Sequence, residues 1–566
     1  MQDLSYHSGD PIFSFGDLDF SIQLYTFENV YALDPQHCRL QEEDRQLILT
    51  CSRLTWAGGQ ECAAGEVRAC IHREEIATDA GTNRVQYRVS LTASHHKLLR
   101  SIKLIVKGLA RGTLLTMRER DETSIPEDGI VLHYPEGWRN ISTPLAILKS
   151  STHTEDTYHY FRSLDQRVRP KKFVFLPSGE QVDVELIYEN LASEPAYTLT
   201  VPTWEIGSGV MLPELFQEQA AYVEQAYHLV PWEQRSDVPA WARDIALVAT
   251  VHCQHWSGYV FNNYAQVLQR LQWMAQYIDP RHILLYLPGW EGRYYWQYGD
   301  YHADERMGGE EGLRKLIAGA HALGARIMLM FGINFANVAT ENFEQWGAPA
   351  AMLTAGGYPA SGSVDWDGSR HYDHGWGRIL NPGAPTWQNR LSSQINTLID
   401  NYAFDGVFLD ISAMWANDPR YSSYDGIREL VRKIQQGHPD ILVAGEGWYD
   451  AMGAITPFMQ AGHTDGVHHW HDQPDAAFFN RYNRQFAHLC LGDPGRGSTG
   501  VHELGYNPIQ RTPVREGLIP TISVVEDTFA VAPEQVRAIL EDANEYARRY
   551  LPTLPHSLEA SPANKY

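Results

Sequence analysis

The stretch Phe404-Asp405-Gly406-Val407-Phe408-Leu409-Asp410, answered by Ile441-Leu442-Val443-Ala444-Gly445-Glu446, limits the possible folds more than any other. Each is a short apolar run that stops at a carboxylate. Between them, residues 424–436 place Ile427, Leu430, Val431 and Ile434 at helical spacing, so the unit reads strand–helix–strand. Side chains alternate along a strand, so Gly406, Phe408 and Asp410 share one face, as do Leu442, Ala444 and Glu446. If these faces point into a β/α barrel, both acids arrive at its mouth, at the carboxyl ends of the strands, where such barrels build their active sites. Two carboxylates converging there are the groups that glycoside hydrolysis uses.

The rest of the chain fits such a unit. At 566 residues, two or three domains are expected, and 43% hydrophobic content with 11% aromatics is ample for large cores. With 69 acidic against 46 basic residues the net charge is −23, a field that repels phosphate backbones, so no nucleic-acid partner is expected. No run of eighteen apolar residues occurs, so no membrane partner is expected either. Met1-Gln2-Asp3-Leu4-Ser5 lacks a basic segment followed by an apolar one, and six scattered cysteines read as reduced thiols. Both features lean towards a cytoplasmic protein.

Residues 1–232 carry many short runs rich in β-branched and aromatic residues, among them 20–25, 47–51, 84–91, 99–106, 172–176 and 182–188. Turn clusters such as Trp56-Ala57-Gly58-Gly59 separate them, which predicts an all-β sandwich. Residues 212–227 read as an acidic helix, and Val238-Pro239 closes a polar linker. Strands and helices then alternate over 233–551, the catalytic (β/α)8 barrel, and 552–566 is a Pro-rich tail. Strands are expected at 245–251, 283–287, 326–331, 406–410, 442–446, 466–469, within 500–504, and at 518–525. Helices are expected at 264–278, 310–323, 387–402, 424–436, 452–461, 476–489 and 533–550. The insertion 345–386, with Trp366, Tyr372, Trp376, Asp365 and Asp367, reads as a flap over the mouth. An open doubly wound sheet is the alternative, but no Gly-rich phosphate loop follows the first strand.

Asp410 leaves its strand at the mouth, whereas Asp405 enters at the floor, where an Asp-Gly turn accounts for it. Glycines flank Glu446 and allow close approach of a ligand. After the second strand comes Pro288-Gly289-Trp290-Glu291-Gly292-Arg293, a mix of flat aromatics and planar polar groups suited to sugars, although core packing of the aromatics is an equal reading. His252 and His255 follow the first strand, Asn334 the third, Trp415 and Trp448 the fourth and fifth, His469 and Asp472 the sixth, and Glu526 the eighth. All are candidate sugar contacts. The cluster His468–Asp472 raises a zinc site, but adjacent residues of one loop seldom close a tetrahedron, so no metal and no cofactor are expected.

A sandwich followed by a barrel, with "FDGVFLD" ending the fourth strand and "VAGEGW" the fifth, resembles retaining α-glycosidases of the broad α-amylase type, and most closely the endo-α-N-acetylgalactosaminidases. The stretch 287–301 and the turn Gly332-Ile333-Asn334 resemble a branch of such barrels. The resemblance implies an Asp nucleophile after strand four and a Glu acid/base after strand five, which map onto Asp410 and Glu446, with a carbohydrate as substrate. "FDGVFLDIS" also resembles the chitinase strand, but that mechanism needs acids at the positions held here by Phe408 and Ser412. The α-galactosidase clan shares the strand-four nucleophile and takes its acid from strand six, which Asp472 would supply. A carbohydrate-binding protein without catalysis is the alternative of another class.

Overall fold

The computed structural model describes residues 10–56, 62–77, 83–117, 122–135, 141–151, 156–255, 258–293, 296–360, 377–447, 449–461, 474–487 and 513–551. Up to Ser208 the chain is antiparallel β, organised by one long strand, Asn83–Ala110. Its first half pairs with Gly65–Ala77 and Ala196–Ser208, its second half with Leu18–Thr26 and Gln181–Glu189. The registers slip where Ala196 faces Leu99 but Thr198 faces Ser94, so the strand bends there and passes from one sheet to the other. Tyr87, Val89, Leu91 and Ala93, then Ile102, Leu104 and Val106, keep the two-residue period of a half-buried strand and are buried. The expected sandwich is present, with this strand common to both layers.

The barrel strands are β1 (Leu247–Val251), β2 (Ile283–Leu287), β3 (Arg326–Gly332), β4 (Gly406–Asp410), β5 (Leu442–Glu446), β6 (Phe458–Ala461), β7 (Arg484–Ala487) and β8 (518–524). Neighbours are parallel throughout. Closure falls to β8, whose Leu518 and Ile519 pair with β7 while Thr521–Val524 pairs with β1. Pro520 divides it because proline has no N–H to donate, yet its carbonyl still accepts from Val248 at 3.0 Å. Strands β1 to β5 are almost wholly buried, as expected for apolar runs covered on both faces. The helix Ser423–Gly437 starts on a Ser422 cap and buries the expected Ile427, Leu430, Val431 and Ile434. The helix Tyr264–Met274 opens with a capping box between Asn263 and Gln266.

The last third departs from expectation. A helix at 452–461 does not form: Asp450–Ala454 makes one tight 3-10 turn, and Phe458–Ala461 is the sixth strand itself. Met452, Ile455 and Phe458 mimic a helical stripe, but Pro457 cannot sit inside a helix. The helix expected at 476–489 shrinks to Pro474–Phe479, followed by β7. The strands expected at 466–469 and within 500–504 lie outside the described residues, and β6 and β7 occupy those places in the ring. Of the insertion 345–386, the described ends hold short turns and the strand Gly377–Ile379, which pairs with Phe335–Asn337. Its Asp365, Trp366, Asp367, Tyr372 and Trp376 lie outside the described residues, as does the tail 552–566.

The helix Leu212–Tyr227 stands between the two halves. Its Gln219, Ala220 and Val223 line one small cavity with Met117, Ser142 and Thr143 of the sandwich and Asp450, Phe478 and Phe479 of the barrel. Asp450 is fully buried there, accepting a hydrogen bond from the Tyr134 hydroxyl at 2.6 Å, and burial pushes its carboxyl up to about 6. Nearby, Asn417 donates to Glu189 and to the Asn190 carbonyl and accepts from the Ala192 N–H. Among the described residues no helix is long and apolar enough to cross a membrane.

Candidate active site

Strands β4 and β5 run in parallel register, Leu409 beside Gly445, so Asp410 and Glu446 leave the barrel side by side. Their carboxyl groups meet closely enough to share a hydrogen bond. Asp410 is only 3% exposed. Burial pushes its carboxyl well above the ordinary range, the adjacent Glu446 pushes the same way, and a hydrogen bond from Tyr298 opposes both. Two carboxyls in contact cannot both ionise cheaply, which favours a state in which the pair keeps one proton between its members.

Tyr298 is a site residue that sequence reading did not single out. Its hydroxyl donates to Asp410 Oδ2 at 2.7 Å. It arrives on the loop after β2, and Gly332 at the end of β3 admits it: a Cβ there would stand 2.0 Å from the Tyr298 ring. The same glycine's N–H donates to the Tyr301 hydroxyl at 2.9 Å, clamping the loop against β3. The only sequence signal for this contact was a glycine ending a strand at the barrel mouth.

Glu446 is held from the β4 side. Its Oε2 accepts from the Ile411 N–H at 2.8 Å. Ile411 sits at φ 57, a left-handed conformation that a β-branched residue adopts only when its surroundings impose it. Asn334 supplies part of that constraint, its amide donating to the Ile411 carbonyl at 2.9 Å. Ser412 completes the tie, accepting from Glu446 N–H at 2.9 Å and donating to Glu446 O at 3.0 Å. Gly445 leaves room for this: a Cβ would come 2.6 Å from Ser412 Oγ.

The other expected contacts divide. Asn334 is buried and engaged with the loop after β4 rather than facing a ligand through its amide nitrogen. Trp290 is fully buried, its indole donating to the Met330 carbonyl at 2.9 Å and its ring packed edge-on to Phe331. It is therefore core and not a sugar platform. Gly289, at φ 67 and pressed against the Gln254 backbone, turns the chain inward at that point. Glu291 is fully buried, and neither carboxyl oxygen has a hydrogen-bond partner among the described atoms. Desolvation pushes it up to about 8, so it is neutral at pH 7. Its charge, when formed, also acts on Asp410.

His252 is buried and reaches Ser523 on the neighbouring strand β8 at 3.1 Å. His255 is half-buried, and burial with the nearby Arg293 pushes it down to about 4, so it is a neutral imidazole. The Arg293 guanidinium lies 4.5 Å over the Trp296 ring. Glu526 accepts from the Tyr259 hydroxyl at 3.0 Å. Trp415 is half-buried against the core. Trp448, His469 and Asp472 lie outside the described residues. Asp405 is more than a turn residue, because it accepts from His321 at 2.8 Å, Arg326 at 2.8 Å and the Ile327 N–H at 2.9 Å. Among the described residues no group of three His, Cys, Asp or Glu side chains converges as a metal site would require.

No family model matches the sequence, and a search of curated proteins finds no match. Solved structures do match the fold. An α-N-acetylgalactosaminidase of Bifidobacterium bifidum in a Gal-NHAc-DNJ complex superposes with a TM-score of 0.61 at 12% identity, over 95% of this chain and 93% of that one. Its ligand-free form gives 0.59 at 13% identity over the same shares. A GH36 α-galactosidase of Geobacillus stearothermophilus in complex with raffinose gives 0.52 at 11% identity, over 97% of this chain and 82% of that one. At these identities the shared property is the fold, a β-sandwich followed by a (β/α)8 barrel, and along nearly its whole length this chain is similar to α-galactosidases and α-N-acetylgalactosaminidases.

Proposed function

We propose that the chain is a glycoside hydrolase that cleaves an α-linked sugar with retention, through a covalent glycosyl-enzyme on Asp410, with Glu446 as acid/base. The observation that carries this reading is the meeting of two carboxyl groups at the ends of adjacent barrel strands. A retaining mechanism needs one ionised and one protonated carboxyl, and a pair sharing one proton has that count. Asp410 attacks the anomeric carbon while Glu446 protonates the departing oxygen. Glu446 then takes a proton from the water that releases the sugar. Positive charge developing at the anomeric carbon favours the tautomer with the charge on Asp410 and the proton on Glu446. The Tyr298 hydroxyl supports that carboxylate. The similarity in fold points to an α-galactoside or an α-N-acetylgalactosaminide as the sugar, because α-galactosidases and an α-N-acetylgalactosaminidase share this architecture.

A second reading keeps Asp410 as nucleophile and takes the acid from beyond β6. Retaining pairs ordinarily stand about 5–5.5 Å apart, wider than a shared hydrogen bond. Glu446, tied to Ile411 and Ser412, would then be a positioning residue. Because β6 ends at Ala461, the carboxylates between it and the helix Pro474–Phe479 are Asp465 and Asp472.

Aryl α-galactosides and α-N-acetylgalactosaminides test both readings. Asp410→Asn should abolish hydrolysis whatever the leaving group. An activated phenol leaves without protonation, so the acid/base variant should form the glycosyl-enzyme and stall. General acid–base assistance is worth about 10²–10⁴-fold. Azide should release the stalled sugar with its starting anomeric configuration. If Glu446→Gln shows this rescue, it is the acid/base; if Asp465→Asn or Asp472→Asn shows it instead, the acid comes from beyond β6. No turnover of any α- or β-linked aryl glycoside would leave the carbohydrate-binding alternative.

A further inference from the structure

At one edge of the sandwich, far in sequence from the carboxylates, the hairpin of Cys38–Glu43 and Gln46–Cys51 brings Cys38 directly opposite Cys51. The next pair outward, His37 and Ser52, is joined by a hydrogen bond from the Ser52 N–H to the His37 carbonyl. Antiparallel pairs alternate, so Cys38 and Cys51 occupy a non-hydrogen-bonded position, where opposite Cα atoms approach to about 4.5 Å and side chains lie closest. A disulfide spans Cα atoms about 4.4–6.8 Å apart, so the backbone need not move far to accept one. The two thiols are free and close enough to perturb each other's ionisation.

The two sulfurs are not equivalent. The neighbouring Cys38 thiol favours the Cys51 thiolate and draws its pKa down to about 6 against the opposing effect of burial. The nearby Cys51 and burial hold Cys38 in its thiol form. Both cysteines border a surface groove of about 780 Å³ together with His37, Arg39, Thr50 and Arg68, Cys38 half-buried and Cys51 2% exposed.

We propose that Cys38 and Cys51 form a reversible cross-strand disulfide, made when a hydroperoxide oxidises Cys51 and Cys38 resolves the product. The Cys51 thiolate attacks the peroxide oxygen, breaking the O–O bond to give a sulfenic acid and hydroxide or alkoxide. The Cys38 sulfur then attacks the Cys51 sulfur, which loses water, with the Cys38 proton completing that water. With hydrogen peroxide the sum is two thiols and one peroxide giving one disulfide and two waters. A dithiol reductant reverses it.

The full chain, reduced and freed of reductant, is treated with hydrogen peroxide, alkylated and digested. Trypsin cuts at Arg39, Arg45 and Arg53, so the two cysteines fall on separate peptides that only a disulfide can join. The expected result is a linked Cys38–Cys51 peptide pair, lost on adding dithiothreitol. Cys38→Ser should leave a Cys51 sulfenic acid that dimedone traps, whereas Cys51→Ser should leave Cys38 unlabelled at the same dose. Free alkylation of both cysteines in wild type, after peroxide sufficient to oxidise an equimolar dithiol standard, would overturn the proposal. So would linkage of Cys51 to Cys62 or Cys70. Dimedone labelling of Cys38 in the Cys51→Ser variant, with none on Cys51 in Cys38→Ser, would overturn the assignment of Cys51 as the sulfur oxidised first.

Discussion

Tyr298→Phe tests how Asp410, the proposed nucleophile, is kept ionised. The change removes the hydroxyl that donates to Asp410 at 2.7 Å and leaves the ring in the space that Gly332 provides. Burial and Glu446 both favour protonated Asp410, and this hydrogen bond opposes them. Its loss therefore raises the Asp410 pKa further, and less nucleophile is ionised at any given pH. A buried hydrogen bond to a charged acceptor contributes about 1.5–3 kcal/mol, so kcat/KM on the acid side of its profile should fall about 10- to 150-fold. The acid limb should move to higher pH while the basic limb stays. The assay is kcat/KM for an aryl α-glycoside across pH, with far-UV circular dichroism to show that the fold persists. Gly332→Ala, whose methyl would stand 2.0 Å from the same ring, should shift the limb in the same direction by displacing Tyr298. An acid limb unmoved in both variants, in an enzyme that Asp410→Asn inactivates, would refute the account.

The remaining predictions concern stability and the junction. Glu291 is raised from about 4.5 to about 8, so the stability it contributes is complete below 4.5 and is lost as pH rises through 8. Glu291→Gln should lose that dependence and become the more stable form above pH 8, by on the order of a few kcal/mol; parallel pH curves of urea midpoints would refute this. Asp405→Asn weakens the bonds from His321, Arg326 and Ile327 at the floor of β4 and should cost roughly 1–3 kcal/mol in urea unfolding with kcat unchanged. Asn417→Ala removes three bonds that bind the loop after β4 to the sandwich, and should lower both the unfolding midpoint, by roughly 1–3 kcal/mol, and kcat. An unchanged kcat would show that the junction does not position Asp410.

How much was legible in advance follows from where the information lies. Strands β4 and β5 are short apolar runs ending in carboxylates, and a parallel strand buried on both faces requires that pattern, so Asp410 and Glu446 could be placed from sequence. Strands β6 and β7 carry four residues each, and Phe458-Met459-Gln460-Ala461 has no β-branched residue to separate it from a helical turn. Pro457 was the available clue, and it outweighs the apparent 3.6-residue period. Tyr298 was invisible for a different reason: its contact with Asp410 closes 112 residues of chain, and no local pattern encodes it. Trp290 could be read either way, since an aromatic at a mouth loop suits a sugar platform or the core, and it is the positive φ of Gly289 that turns it into the core.

The junction at Asp450 bears on any attempt to dissect the molecule. Between β5 and β6 the barrel has only a 3-10 turn where a helix normally stands, and that turn's Asp450 is held by Tyr134 from the sandwich, with the Leu212–Tyr227 helix beside it. Expressing residues from about 233 onward would strip Phe478, Phe479 and Asp450 of their cover, and Asp450 lies only four positions downstream of Glu446. Recombination with the sandwich of another protein would meet the same obstacle, because an incoming module would have to supply a tyrosine hydroxyl and an apolar helix face in register. The two halves are therefore expected to be exchanged or inherited only as one piece.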